Sequence, residues 1–345
     1  MVRVELESIN SLASHALFHP VDTFLSVGPT LNETTCGLLG SSFDPKRDVP
    51  DLSGKVIFVT GGNAGLGKET ILQLARHSPS RIYLGARNAT KAQEAISSIQ
   101  TALPAAVDIR HIPLDLTSFA SIRAAAEKFQ SDCDRLDILI LNAGTMANPP
   151  DVTVEGFEIQ FGTNHIGHFL LTKLLLPTLR KTATAPAATG TRPDVRVITL
   201  SSIANHSAPS FDVMTSTPAM LKAHTFIRYG ASKAANVLFA AELARRYPEI
   251  MSVSIHPGAV SSELYRHRQS MGLAAKVGIG LTSAFFRSVH TGAMNQIWAA
   301  TVSRERLTNG AYYVPIGTRG SSRFERDADL ARRLWTWTED KVATA

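Results

Sequence analysis

Tyr229 and Lys233 stand four residues apart in Tyr229-Gly230-Ala231-Ser232-Lys233. Four residues is about one helical turn, so on a helix both side chains share a face. Their chemistry is complementary. A free tyrosine ionises near pH ~10, too high for proton exchange at neutral pH, and a neighbouring ammonium would stabilise its phenolate. Such pairs also decorate solvated helix faces, so this one gains meaning only from what the chain sets beside it.

The stretch Lys55-Val56-Ile57-Phe58-Val59-Thr60 has the β-branched and aromatic character of a buried strand, and Gly61-Gly62-Asn63-Ala64-Gly65-Leu66-Gly67 follows it directly. A helix over residues 68–77 comes next. Gly61 lets the chain turn as it leaves the strand, Gly65 lets main chain approach a pyrophosphate, and Gly67 lets the helix pack closely on the sheet. Asn63 and Leu66 lie within the same turn, and unpaired N–H groups at the helix start favour an anion. A glycine-rich turn alone also fits an ordinary strand-to-helix loop.

Strand and helix patterns then alternate. Strands are expected at 81–87, 107–113, 136–141, 195–200, 251–255 and 310–314, with helices between them. That implies right-handed crossovers and a parallel sheet covered on both faces. The fold class is α/β, a Rossmann-type doubly wound sheet of about seven strands in three layers. Residues 1–50 are expected to be an N-terminal extension, 51–315 the catalytic domain and 316–345 a C-terminal tail. At the end of the second strand a dinucleotide fold meets the adenosine ribose. An acidic residue there would bind a 2′-hydroxyl and an arginine would accept a 2′-phosphate. The chain has Arg87, which favours NADP(H) over NAD(H), although an arginine at a strand end can also be merely exposed. Asn88 or Thr90 can cap the next helix. Asp115, followed by Leu116, could accept a hydrogen bond from an adenine amino group or cap the helix that starts near Ser118.

With Thr60-Gly61-x-x-x-Gly65-x-Gly67, Asn142-Ala143-Gly144 and Tyr229-x-x-x-Lys233 in this order, the chain resembles the short-chain dehydrogenase/reductase family over about residues 51–315. Asn164-His165-Ile166-Gly167-His168-Phe169-Leu170-Leu171-Thr172 is similar to the branch containing the retinol dehydrogenases and WW-domain oxidoreductases. The resemblance implies a catalytic set of Asn164, Ser202, Tyr229 and Lys233. Tyr229 would be the proton donor in carbonyl reduction and the acceptor in alcohol oxidation. Lys233 would bind the nicotinamide ribose and lower the tyrosine pKa, Ser202 rather than Ser201 would bind the reacting oxygen, and Asn164 would sit at a helix irregularity and hold a relay water. Asn142, Ala143 and Gly144 would line the cofactor. Pro257, Gly258, Val260 and Ser262 would hold the nicotinamide, the serine standing where the family usually has threonine.

Composition excludes several classes. The net charge of +6 is spread along the chain without the Lys/Arg block of a nucleic-acid tract. The two cysteines, Cys36 and Cys133, offer neither a disulfide framework nor metal spacing, and no metal is expected. A secretory-leader pattern and a bilayer-spanning run are missing. Residues 11–25 hold an apolar set that either packs on the domain or forms a membrane-surface or partner helix. A cytoplasmic location is expected, with peripheral membrane association left open. Residues 203–228 read as substrate-pocket wall, with His206 and His224 as surface or packing residues. Residues 263–286 read as a substrate lid whose apolar side chains serve a lipophilic substrate or the core.

The expected function is NADP-dependent hydride transfer to or from a carbonyl or alcohol of a lipophilic small molecule such as a retinoid, steroid, lipid or polyketide. A non-catalytic NADP(H) sensor and a sugar-nucleotide epimerase are the alternatives. The complete catalytic set disfavours the first, and the lack of a larger nucleotide-binding region disfavours the second. Helices beginning near Asn164 and Tyr229 resemble the family's dimer surface, which leaves a homodimer open.

Overall fold

The computed structural model describes residues 42–186, 193–260 and 287–343. Runs rich in aliphatic and aromatic side chains become strands: β1 (Val56–Thr60), β2 (Arg81–Ala86), β3 (Ile109–Pro113), β4 (Ile138–Leu141), β5 (Arg196–Leu200), β6 (Met251–Ile255) and β7 (Tyr312–Val314). Strands β1 and β4 to β7 are buried throughout, as a sheet covered on both faces requires, whereas β3 is only partly buried. An eighth strand, β8 (Thr318–Arg319), pairs antiparallel with β7. The order is β3-β2-β1-β4-β5-β6-β7-β8, and β1 to β7 run parallel. Strand order reverses between β1 and β4, and a crevice opens at the carboxyl ends of a doubly wound sheet at such a point.

On one face α1 (Gly65–Ala75), α2 (Ala89–Thr101) and α6 (Val289–Thr301) cover Ile57, Val59, Ile82 and Ile140. On the other, α3 (Phe119–Asp132), α4 (Gly167–Ala183) and α5 (Thr225–Arg246) cover Phe58, Tyr83 and Leu139. Among the described residues, no helix is long and apolar enough to cross a membrane.

Several element ends differ from those expected, for local reasons. Helix α1 starts at Gly65 instead of Lys68, because Ala64 has extended dihedrals and the glycine turn itself supplies the first helical turn. Asn88 caps α2 by accepting the Lys91 N–H at 2.8 Å. Ser118 caps α3, so Asp115 does not. Helix α5 begins at Thr225, where His224 accepts the Phe226 N–H, and Tyr229 therefore lies a full turn inside it.

Residues beyond 315, set apart in the sequence as a tail, belong to the same body. Besides β8 they form α7 (Ala328–Ala343), whose Ala331, Leu334, Trp335 and Val342 join the larger core cluster. Trp335 stacks on Phe239 of α5 at 5.8 Å between ring centres and meets the edge of Phe169 of α4 at 4.8 Å. Helix α7 therefore covers part of α4 and α5. At the other boundary Val49 is already core, packed with Leu52, Ile57 and Leu74. The apolar run at 11–25, the lid at 263–286 and Ser262 lie outside the described residues.

Candidate active site

A cleft of about 820 Å³ runs along the carboxyl ends of the central strands. Gly61, Asn63, Gly65 and Leu66 form one stretch of its wall. Gly65 has φ +52°, a left-handed conformation that a side chain would strain, and a Cβ there would meet nothing within 4 Å. The main chain thus presents an open surface just where α1 begins with no side-chain cap. Gly67 lies behind this surface: a Cβ there would collide with the Gly61 carbonyl and the Asn142 amide. Asn142 fastens the turn to β4 by donating to the Thr60 carbonyl at 2.8 Å. This cradle fits a pyrophosphate, because no Cβ fills it at Gly65 and a helix starts there; the Gly61 N–H is itself spent on the Gly85 carbonyl at 2.8 Å.

At the far end Arg87, Asn88 and Lys91 line the cleft. Arg87 and Lys91 are exposed and make no ion pair among the described residues. Lys91 is a second cation that sequence reasoning passed over. The capping of α2 by Asn88, one turn before the lysine, is the signal that places it beside Arg87. Asp115 also lines the cleft, and its Oδ1 is held by the Thr117 N–H and hydroxyl at 2.9 and 2.8 Å. Leu116, Ala143 and Gly144 complete this side.

The catalytic candidates converge at the other end. Lys233 is buried, its ammonium donates to the Leu200 carbonyl at 3.0 Å, and it sits 5.5 Å from the centre of the Tyr229 ring. Burial pushes its pKa down from 10.5 to about 8. A Cβ on Gly144 would meet both the Lys233 ammonium, at 3.6 Å, and Asn164 Oδ1, at 3.2 Å, so these groups share one corner. Asn164 lies in a π-helical turn, Gly162–Ile166, the irregularity implied by resemblance. Its Oδ1 accepts from the Thr145 N–H, and its Nδ2 donates to the Thr145 carbonyl and to Ser232 Oγ. Ser232 in turn donates to the Tyr229 carbonyl at 2.7 Å, which ties Asn164 to the helix of Tyr229.

The two serines after β5 divide their work. Ser201 is buried and donates to the Lys233 carbonyl at 2.7 Å, whereas half-buried Ser202 accepts the Ala204 N–H and keeps its own proton for another acceptor. Ser201 lines the cleft and Ser202 does not. Of the residues after β6, Pro257 lines the cleft; Gly258 and Val260 do not, and Val260 is buried beside Gly292 of α6.

Two histidines from the quoted motif proved structural. His168 donates through Nδ1 to the Asn164 carbonyl at 3.0 Å, and its Nε2 lies 2.9 Å from the Thr60 hydroxyl. A carbonyl only accepts, so Nδ1 carries the proton and the Thr60 hydroxyl donates to Nε2. His165 lies 3.1 Å from Thr338 of α7, whose hydroxyl already donates to Leu334, so the ring is the donor. Burial pushes both pKa values down to about 3.

The wall beside Tyr229 is apolar: Met146 and Ala147 are buried against its ring, with Ala204 and Phe226 packed around them. Gly230 allows this approach, since a Cβ there would collide with Ser207 and Ala204. Only part of the 203–228 segment serves the wall, because Met214 and Met220 turn into the main core. Among the described residues no cluster of metal-ligating side chains is present.

Known proteins resemble this chain in sequence and fold. A family model described as short chain dehydrogenase matches residues 55–211. A short-chain dehydrogenase/reductase of Armillaria gallica is 40% identical over 88% of this chain and 96% of its own length. The chain belongs to the short-chain dehydrogenase/reductase family. It falls in the family's retinol dehydrogenase branch: retinol dehydrogenase 12 of Mus musculus is 37% identical over 82% of this chain and 85% of its own length. Among solved structures, the Pseudomonas aeruginosa RhlG/NADP active-site complex superposes with a TM-score of 0.59 at 26% identity, covering 80% of this chain and 98% of that one. Family membership makes the protein an oxidoreductase with a nicotinamide cofactor and a small-molecule substrate.

Proposed function

We propose that the protein is an NADP(H)-dependent reductase or dehydrogenase acting on a carbonyl or alcohol group of a lipophilic small molecule. The observation that carries this is the convergence of Tyr229, Lys233 and Asn164 at the one end of the cleft where the facing wall is apolar. When bound, the nicotinamide supplies or receives the hydride. Gly61 to Gly67 and the start of α1 would hold the pyrophosphate, and Arg87 with Lys91 would hold the 2′-phosphate. RhlG of Pseudomonas aeruginosa, similar in fold, forms its active-site complex with NADP, which supports the same choice.

The chain's own residues handle the proton. Tyr229 hands it to the carbonyl oxygen in reduction or takes it from the alcohol in oxidation, and the Lys233 ammonium stabilises the phenolate left behind. Ser201, which lines the cleft, gives its proton to the Lys233 carbonyl, so the Ser202 hydroxyl, set just outside the cleft lining, is the one that would donate to the same oxygen. Met146, Ala204 and Phe226 exclude water from the reacting carbon and favour apolar substituents; the name of the retinol dehydrogenase relatives fits such a substrate.

The test is a calorimetric titration of the full chain with NADPH and with NADH, followed by a ketone and aldehyde panel monitored by NADPH absorbance. Preferential NADPH binding and turnover of lipophilic carbonyls are expected. Failure to bind either nucleotide would overturn the assignment at the glycine turn.

A further inference from the structure

Residues 145–149 form the wall facing Tyr229, and their conformation is imposed from outside. Ala147 has φ +58°, a left-handed conformation that an alanine does not adopt without compensation. Its N–H is taken by Gln160 Oε1 at 3.1 Å, and Gln160 Nε2 bonds the Thr225 carbonyl and hydroxyl at the start of α5. The Asn148 carbonyl accepts from the Thr225 hydroxyl and from Arg228 Nη2, at 3.1 and 2.8 Å, and the Pro149 carbonyl accepts from Arg228 Nη1.

Arg228 is the residue before Tyr229. Its side chain is 2% exposed and pairs with Glu158, 1% exposed, at 2.8 Å. Glu158 also caps the segment leading into the π-helical turn by accepting the Phe161 N–H. The pair therefore ties together the wall, the turn that carries Asn164, and the helix that carries Tyr229. Burying two full charges costs more than burying apolar residues of similar size, so stability alone gives little reason for the pair. The Arg228 Nε is moreover buried without a partner.

We propose that Arg228, Glu158 and Gln160 are positioning residues that hold residues 145–149 as a rigid wall of the substrate compartment, and so set which carbonyl compounds are accepted without contributing to nucleotide binding. The inference rests on the assignment of the Tyr229 end of the cleft to a carbonyl substrate. It places specificity in residues that need not touch the substrate, acting through Met146 and Asn148, which line the cleft.

The experiment compares the full-length protein with the double variant Arg228→Met/Glu158→Leu, which removes both charges at similar volume, and with Gln160→Leu. Amide hydrogen exchange reads the wall directly. In the double variant the Ala147 N–H, which the pair does not itself bond, should exchange at least ~100-fold faster, while amides of β1 and β4 stay within about threefold. Steady-state kinetics on one compact and one bulky ketone should show the ratio of their KM values shifting at least ~10-fold, with NADPH affinity within about threefold. Gln160→Leu should reproduce both effects with the ion pair intact. Unchanged exchange at Ala147 would overturn the proposal whatever the activity. So would faster exchange with an unaltered KM ratio, or a loss confined to kcat in step with melting temperature. If the wild-type chain binds NADPH and turns over no carbonyl, the function proposed above fails, and exchange still decides whether the brace orders the wall.

Discussion

The two ends of the cleft are built on different plans. The nucleotide end is mostly main chain: a turn with Gly65 at positive φ, the N–H groups of α1, and Asn142 locking that turn to β4. The substrate end is mostly side chains from distant parts of the sequence, where Arg228 reaches Glu158 across 70 residues and Asn164 reaches Ser232 across 68. A main-chain site depends on a few residues at fixed local spacing and tolerates change around them. A side-chain site depends on every partner at once, so it can be retuned by substitutions that leave the nucleotide end untouched.

Four experiments would break or sharpen that contrast. The largest effect is expected for Tyr229→Phe, which removes the proton donor and should cut turnover by roughly 10²–10⁴-fold, with calorimetry giving NADPH affinity close to wild type. A matching loss of NADPH affinity would show that the two ends are not separable. Next, Trp335→Ala strips a core contact from Phe239 and Phe169 and should cost about 3–5 kcal/mol of unfolding free energy in denaturant titration. Because those contacts lie on α4 and α5, the residual native protein should lose substrate turnover before nucleotide binding.

At the other end, Arg87→Ala and Lys91→Ala should each weaken NADPH about tenfold and leave NADH nearly unchanged, since each removes one charge beside the proposed 2′-phosphate site. Equal losses for both nucleotides would mean that neither cation reads the phosphate. The smallest effect concerns pH. The buried Lys233 ammonium, with its pKa pushed down to about 8, is charged below that value and neutral above it. NADPH affinity should therefore fall by a few-fold as pH rises through about 8, and Lys233→Arg should flatten the profile. Stability moves the opposite way. The unfolded chain keeps this proton up to about 10.5 and the folded chain loses it near 8, so between those values unfolding becomes harder as pH rises.

How much of this could be read from sequence follows the same division. The strands, the glycine turn and the Tyr229/Lys233 pair were legible because each is a local pattern with a fixed period, and the structure places them along one crevice. The seven longer strands fall where their β-branched runs predict them, whereas two-residue β8 is too short to leave a pattern. Lys91 escaped notice because its position depends on where α2 begins, which Asn88 decides. The brace around Ala147 was illegible in principle: Glu158 and Arg228 look like ordinary surface charges until the fold buries them together. Helix α7 read only as a tail, because its apolar residues find their partners on α4 and α5, Trp335 lying 166 residues after Phe169 and 96 after Phe239.

Helix α7 also carries a consequence for how the protein is made. It is synthesised after every element that it covers, so while the chain is still emerging Phe239 and Phe169 have no tryptophan to pack against and His165 has no Thr338. The nucleotide cradle, whose strands and helices come earlier, can form while translation continues. The helix bearing Tyr229 gains its outer cover only when residues 328–343 have emerged, so the packing behind the substrate end is completed later than that of the cradle.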